Sequence, residues 1–342
     1  MDKVYKLTHV WVDITAKCNN KCPYCYDMGN GNTDVDLEQL KKIFALINEL
    51  HIPNVTLIGG EPTMHKDFLQ ILEIANSVSN PAVVTNGTMF AKTEFAKQVA
   101  EIGIRGVLFS LTSPFEDVHD KTTGRKGAYK EVIKGIENAL SYLSHDSVRT
   151  STTITQNNAC DLQKIMDINK AMGISTTIFN ACVPSISDMC GESCLHPTEL
   201  ARAIEDAYVY GQKIEQSIRV ATNLPYCIFS DDLRESLRND RVIATSPCQV
   251  YRGSGYEFLS TGAIIPCTHL HDCILGNPIA DEMNGDDFIK FINTQDLIQS
   301  RRSMWRYPSQ ECKKCSEWGR CVGGCPIMWS AFEPKTCLKA IL

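Results

Sequence analysis

Short apolar runs and amphipathic stretches alternate along the first two-thirds of the chain. Runs rich in β-branched residues fall at Val10–Thr15, Val55–Ile58, Ala82–Thr85, Gly106–Leu111, Arg149–Thr155 and Ser175–Asn180. Between them, apolar residues recur at three- and four-residue spacing, as in Leu37–Leu50 and Tyr129–Leu143. That spacing predicts helices with one buried face. Asp36 and Thr198 stand where helix N-caps belong, and Gly103 and Gly173 where such helices stop. Six strand–helix units in series predict a parallel sheet, either open and doubly wound or closed into a barrel. Functional residues then gather at the carboxyl ends of the strands. Cys18 follows the first strand, Gly59 the second and Asn86 the third, while Ser110 ends the fourth. One site is expected where these ends converge.

The rhythm stops after about residue 220, and the remainder is short, turn-rich and dense in cysteine. A domain boundary is expected between residues 220 and 245: a first domain over 1–220, a linker over 221–245 and a second domain over 246–342. So few long strands call for metal staples to hold that second domain together.

The 342 residues, with 43% hydrophobic and 22% charged, are ordinary for a globular protein. A net charge of -6 gives no reason to expect nucleic acid or an anionic membrane as partner. No apolar run is long enough to span a bilayer, and the start lacks a signal-peptide pattern, so a cytoplasmic protein is expected. Sixteen cysteines depart from the ordinary. In a reducing compartment they point to metal ligation rather than disulfides.

Three of those thiols fall within eight residues, Cys18-Asn-Asn-Lys-Cys22-Pro-Tyr-Cys25. Structural zinc wants a closed tetrahedron, whereas a four-iron cubane on three cysteines leaves one iron open for a small molecule. A zinc knuckle with a distant fourth ligand is the competing reading of the octet alone. Cys18-x3-Cys22-x2-Cys25, with Tyr24 before the last thiol, resembles the cluster motif of the radical S-adenosylmethionine (radical SAM) superfamily. Gly59-Gly60-Glu61-Pro62 is similar to the stretch with which that superfamily grips the methionine end of its cofactor. The resemblance implies a [4Fe–4S] cluster on Cys18, Cys22 and Cys25 that binds S-adenosyl-L-methionine. Glycines allow close backbone approach, and Glu61 can accept a hydrogen bond from an ammonium group. By the same resemblance Asn86, Ser110, Ser151 and Arg125 contact the cofactor. Local readings compete, since Thr85-Asn86-Gly87 is a good turn and Arg125 an ordinary loop charge. Asp13 and Lys17 flank the octet as structural residues.

In the tail, Cys248-x13-Gly262-x4-Cys267, then Cys312-x2-Cys315-x5-Cys321-x3-Cys325, then Cys337 is similar to the seven-cysteine SPASM extension. The fold class implied is α/β: a partial (β/α)6 TIM-like barrel with a small cysteine-rich C-terminal SPASM domain. The family pattern implies two auxiliary [4Fe–4S] clusters with interleaved ligands. One takes Cys248, Cys267 and Cys325, and the other Cys312, Cys315, Cys321 and Cys337. The first is one ligand short, and three completions remain open: Cys273, His269 or His271 from the loop after Cys267, Cys227 from the linker, or an open iron.

Cys190 and Cys194 lie on a loop beyond the sixth strand, where a thiol can donate a hydrogen atom or hold a metal; Cys227 shares that candidacy. Incidental placement competes for all three. The resemblance implies reductive cleavage of the cofactor to a 5′-deoxyadenosyl radical and hydrogen abstraction from a substrate. Its auxiliary clusters point to oxidative modification of a ribosomally made peptide through a thioether or carbon–carbon crosslink. Cys18 comes so early that a separate leader-binding protein, or direct recognition, is expected for the peptide. An external donor such as flavodoxin or ferredoxin would supply the electron. The alternatives are a dehydrogenase, either of the anaerobic sulfatase-maturase type or of a small alcohol, and a non-catalytic metalloprotein.

Overall fold

The computed structural model describes residues 6–27, 32–185, 191–305, 307–334 and 337–338. Its first half is a run of strand–helix units: β1 (His9–Asp13), α1 (Leu37–Glu49), β2 (Asn54–Ile58), α2 (Phe68–Val78), β3 (Asn80–Thr85), α3 (Thr93–Ile102) and β4 (Gly106–Ser110). Two helices follow, α4 (Glu116–Thr123) and α5 (Ala128–Tyr142), then β5 (Val148–Ile154), α6 (Leu162–Ala171), β6 (Thr176–Ala181), α7 (Pro197–Ile214) and β7 (Ser217–Val220). The tail adds α8 (Asp231–Asn239), α9 (Gln249–Arg252), the hairpin β8 (Gly255–Phe258) and β9 (Ile264–Ile265), α10 (Gly285–Ile292), α11 (Gln295–Ser303) and α12 (Trp318–Cys321).

The nine strands form one sheet in the order β7-β6-β5-β4-β3-β2-β1-β8-β9. Neighbours pair in parallel except β8 with β9. The alternation read in the sequence explains which face each residue takes. Val10, Val12, Val55, Leu57, Val83, Val107 and Phe109 are closed to solvent and share a core with Leu40, Ile43 and Phe44 of α1 and Ile71 and Leu72 of α2. Burying each such side chain stabilises the fold by about 1.5–3 kcal/mol. The intervening positions, Trp11, Asp13, Val84, Ser110 and Ser151, occupy the opposite face.

Capping follows the sequence at Asp36, whose carboxylate accepts from the Glu38 N–H, and at Gly103, which ends α3 with φ of 94°. At α7 the N-cap is His196 rather than Thr198. Pro197 takes the first helical position, which needs no N–H donor, and the His196 ring accepts from the Thr198 amide.

Two strands were not expected. β7 is a four-residue parallel strand beside β6, at the point where the strand–helix rhythm was expected to end. β8 returns from the cysteine-rich tail to pair with β1, placing Val10 opposite Tyr256 and Val12 opposite Phe258. Tyr256, Phe258, Ile264 and Phe288 thereby join the same hydrophobic core as Val10 and Val55. Among the described residues, no helix is long and apolar enough to cross a membrane.

Candidate functional site

The loop that carries the three clustered thiols leaves the end of β1 and is bound to the stretch after β2. Gly60 N–H donates to the Thr15 carbonyl at 2.8 Å, and Glu61 N–H to the Lys17 carbonyl at 2.6 Å. This approach explains both glycines. Gly59 has φ of +145°, and a Cβ on it would lie 2.3 Å from the Thr15 carbonyl oxygen. A Cβ on Gly60 would meet the Lys17 carbonyl oxygen at 2.5 Å. Lys17 is held in turn by Asp34, at 2.6 Å, which also accepts from the Thr15 hydroxyl.

Glu61 is buried, 1% exposed, and occupied by donors from this chain. Its carboxylate accepts from the Asn86 amide at 2.6 Å, the Thr85 hydroxyl at 2.6 Å, and both the amide and the hydroxyl of Thr63. Burial raises its acidity constant above the usual carboxylate value, and these hydrogen bonds pull the other way. Glu61 thus ties the end of β3 to the turn after β2. Pro62 opens the short 3₁₀ turn that Thr63 completes.

Asn86 and Arg125 reach the cysteine loop itself. The Asn86 amide donates to Asn19 Oδ1 at 2.6 Å, and Asn19 donates to the Thr88 hydroxyl at 3.0 Å. Arg125, beyond the end of α4, donates from Nε to Asn20 Oδ1 at 2.8 Å and from Nη2 to Thr88 Oγ1 at 2.9 Å, and pairs with Glu131 at 2.6 Å. Lys21 N–H bonds to the Thr123 carbonyl at 2.7 Å. Asn19, Asn20 and Thr88 were missed in the sequence; the two asparagines between Cys18 and Cys22 were the available signal.

The three thiols are near enough to act on one another's ionisation. Burial pushes Cys18 up to about 11 and Cys22 up to about 12, with Cys25 contributing to both. Three neutral, crowded thiols fit a multinuclear cation that lets them ionise together. The phenol of Tyr24, buried beside Cys22, Cys25 and Cys182, is raised well above its usual value. Ser110 and Ser151 pair across β4 and β5, and the Ser151 hydroxyl accepts from Asn180 at 2.7 Å. Asn180 was not singled out in the sequence.

The tail thiols fall into two groups. Cys248 and Cys267 pack with Val250, Trp305 and Val322. Burial raises Cys267 to about 12, with Cys325 and Cys248 acting on it next among charged groups. In the other group, Cys312 and Cys337 pack with Leu338 against Cys227 and Trp318. Cys227, Cys312, Cys315 and Cys321 line one narrow cavity there. Between the groups, Val322, Gly323 and Gly324 take positive φ in succession, so the chain turns sharply from Cys321 to Cys325. The Cys337 thiol also lies 3.5 Å from His196 Nε2. These donor sets suit thiolate-held iron, which prefers soft sulfur ligands.

The remaining candidates lie apart from these sets. The buried Cys194 thiol is 3.7 Å from that of Cys182. Cys273 is half-buried, and burial alone raises its thiol. Cys190 lies outside the described residues. Near the end of β1, Tyr26 packs against the rings of His269 and His271 at 5.5 and 5.8 Å.

Residues 12–168 match the Radical SAM superfamily, and this part of the chain is a radical SAM domain. The cysteine-rich tail is consistent with the SPASM extension that its spacing resembles. Among characterised relatives, the probable GTP 3′,8-cyclase of Methanopyrus kandleri is 28% identical over 43% of this chain and 51% of its own. The antilisterial bacteriocin subtilosin biosynthesis protein AlbA of Bacillus subtilis is 27% identical over 60% of this chain and 46% of its own. The chain spans about half the length of the curated relatives it first matches. The fold is similar to that of Streptococcus suis SuiB bound to its precursor peptide SuiA, with a TM-score of 0.73, 16% identity and coverage of 98% of this chain and 76% of SuiB. It is also similar to anSMEcpe bound to AdoMet and the Cp18Cys peptide, with a TM-score of 0.71, 21% identity and coverage of 98% and 92%.

Proposed function

We propose that this chain is a radical SAM enzyme that oxidatively crosslinks a ribosomally made peptide. When bound, a [4Fe–4S] cluster and S-adenosyl-L-methionine supply reductive cleavage of the cofactor to a 5′-deoxyadenosyl radical, with the electron coming from an external flavodoxin or ferredoxin. The protein's part is to hold and aim. Cys18, Cys22 and Cys25 hold the cluster on a loop fixed by Asn86, Thr88 and Arg125. The backbone of Gly59–Pro62 presents polar groups for the methionine end, while Asn86, Ser110 and Ser151 offer hydrogen bonds from neighbouring strand ends.

The observation that carries the oxidative reading is the return of β8 to β1. It anchors the hairpin leading to Cys267 on the same sheet whose first strand leads to Cys18. Cys248, Cys267 and Cys325 would hold one auxiliary cluster and the Cys312 group another. A substrate radical formed between them has a nearby acceptor for its remaining electron. The names of AlbA and of SuiB with its precursor peptide support a peptide rather than a nucleotide as substrate.

Anaerobically reconstituted protein should release 5′-deoxyadenosine with dithionite and S-adenosyl-L-methionine. It should also convert a short peptide encoded beside its gene into a product lighter by a pair of hydrogens. An unaltered peptide together with oxidation of a sulfatase serine or cysteine, or of a small alcohol, would replace this reading by the dehydrogenase alternative. Absence of 5′-deoxyadenosine would remove both.

A further inference from the structure

Glu257 is a charged residue in a strand whose four positions are all buried. It is 1% exposed, and neither carboxylate oxygen has a hydrogen-bond partner. A carboxylate left so is costly, since burial without a partner forfeits its hydration. The register shows where it points. Tyr256 and Phe258 pack on Phe288 of α10, so Glu257 takes the other face, level with Trp11 of β1. Across the hairpin Glu257 pairs with Ile265. Continuing that register by two residues sets Cys267 opposite Gly255, on the face that Glu257 occupies. Gly255 has no side chain, which leaves Glu257 the nearest side chain of β8 to Cys267. Its charge is among those that act on Cys267, together with Cys325 and Cys248.

We infer that Glu257 is the fourth ligand of the first auxiliary cluster, completing the set of Cys248, Cys267 and Cys325. The inference rests on the reading above that those three thiols hold a cluster. Other donors are less well placed. Cys227 lines the cavity of the Cys312 group, and no thiol acts on Cys273. His269 and His271 pack on Tyr26; His271 Nε2 has no hydrogen-bond partner, but the charges acting on that ring come from Asp27 and Asp272, not from a thiol. A carboxylate is a harder ligand than thiolate, so this iron would be the exchangeable one of the cluster.

The test uses the full chain with Cys18, Cys22 and Cys25 replaced by alanine, which leaves only the auxiliary clusters. The parent, Glu257→Gln, Glu257→Cys and His271→Ala proteins are reconstituted anaerobically. Iron content, Mössbauer spectra and the electron paramagnetic resonance response to cyanide are then recorded. The parent should show one iron site with oxygen ligation and no cyanide response. Glu257→Cys should convert that site to all-thiolate iron at unchanged iron content. Glu257→Gln should lose the oxygen-ligated component and gain a cyanide-dependent signal, while His271→Ala matches the parent. Identical spectra in the parent and both Glu257 variants at full iron content would overturn the role of Glu257 alone. So would a change confined to His271→Ala. Iron for only one auxiliary cluster in every protein, parent included, would overturn the cluster reading itself. Iron held by the Cys312 group reports in each variant whether the tail has folded.

Discussion

Arg125 Nε donates a hydrogen bond to the side-chain oxygen of Asn20 at 2.8 Å, across 105 positions of sequence. The cysteine loop is therefore shaped from outside, by a guanidinium that also holds Thr88 and Glu131. Arg125→Lys keeps the charge but cannot supply this planar set of donors. The variant is expected to bind less iron on the Cys18 loop and to release less 5′-deoxyadenosine. Iron content and an uncoupled cleavage assay check this, and a variant equal to wild type in both would remove the positioning role.

Gly60→Ala should be worse than an ordinary surface change. Its Cβ would collide with the Lys17 carbonyl oxygen, and backbone cannot swing aside as a flexible side chain can. Strand end and cysteine loop would separate, and most of the first cluster's iron is expected to be lost. The auxiliary iron should persist in the same preparation.

Glu61→Gln places an amide N–H₂ among four donors. At least one of those donors is left without an acceptor, a loss of about 1–3 kcal/mol. A lowered thermal midpoint would register it, and Glu61→Asp, which keeps the acceptors but shortens the reach, should fall between.

Asp13 gives the chain a pH dependence of its own. Burial, with the nearby charge of Asp27, raises it from 3.8 to about 8, and Glu257 is a further acid acting in the same region. The folded state then keeps a proton that the unfolded chain gives up. Stability from this group is present in full below about pH 4 and is lost as pH rises towards 8. Asp13→Asn should flatten that part of the stability profile, as measured by thermal melts between those values. An unchanged slope would show that Asp13 does not carry it.

Much of this arrangement was legible in the chain because it depends on local pattern. The six strands near Val10, Val55, Ala82, Gly106, Arg149 and Ser175 repeat one alternation, and the octet and Gly59–Pro62 each lie at a strand end. What escaped depends on contacts between distant segments. Gly255-Tyr-Glu-Phe258 is too short for a periodicity to emerge, and its partner lies at residue 9, so nothing local marks it as a strand of the same sheet. The N-cap at His196 was hidden because histidine is an uncommon cap, although Pro197 beside it was a usable sign. The asparagines of the octet looked like loop filler until Arg125 and Asn86 were brought against them.

The pairing of β8 with β1 also sets an order of events for the chain as it leaves the ribosome. Strand β1 emerges first but gains its second neighbour only when residues 255–258 have been made. Until then one edge of a valine-rich strand stays open, and such edges invite pairing with other chains. A chain cut off near residue 250 would carry that open edge permanently. It should gather in inclusion bodies even though every strand from β1 to β7 is intact.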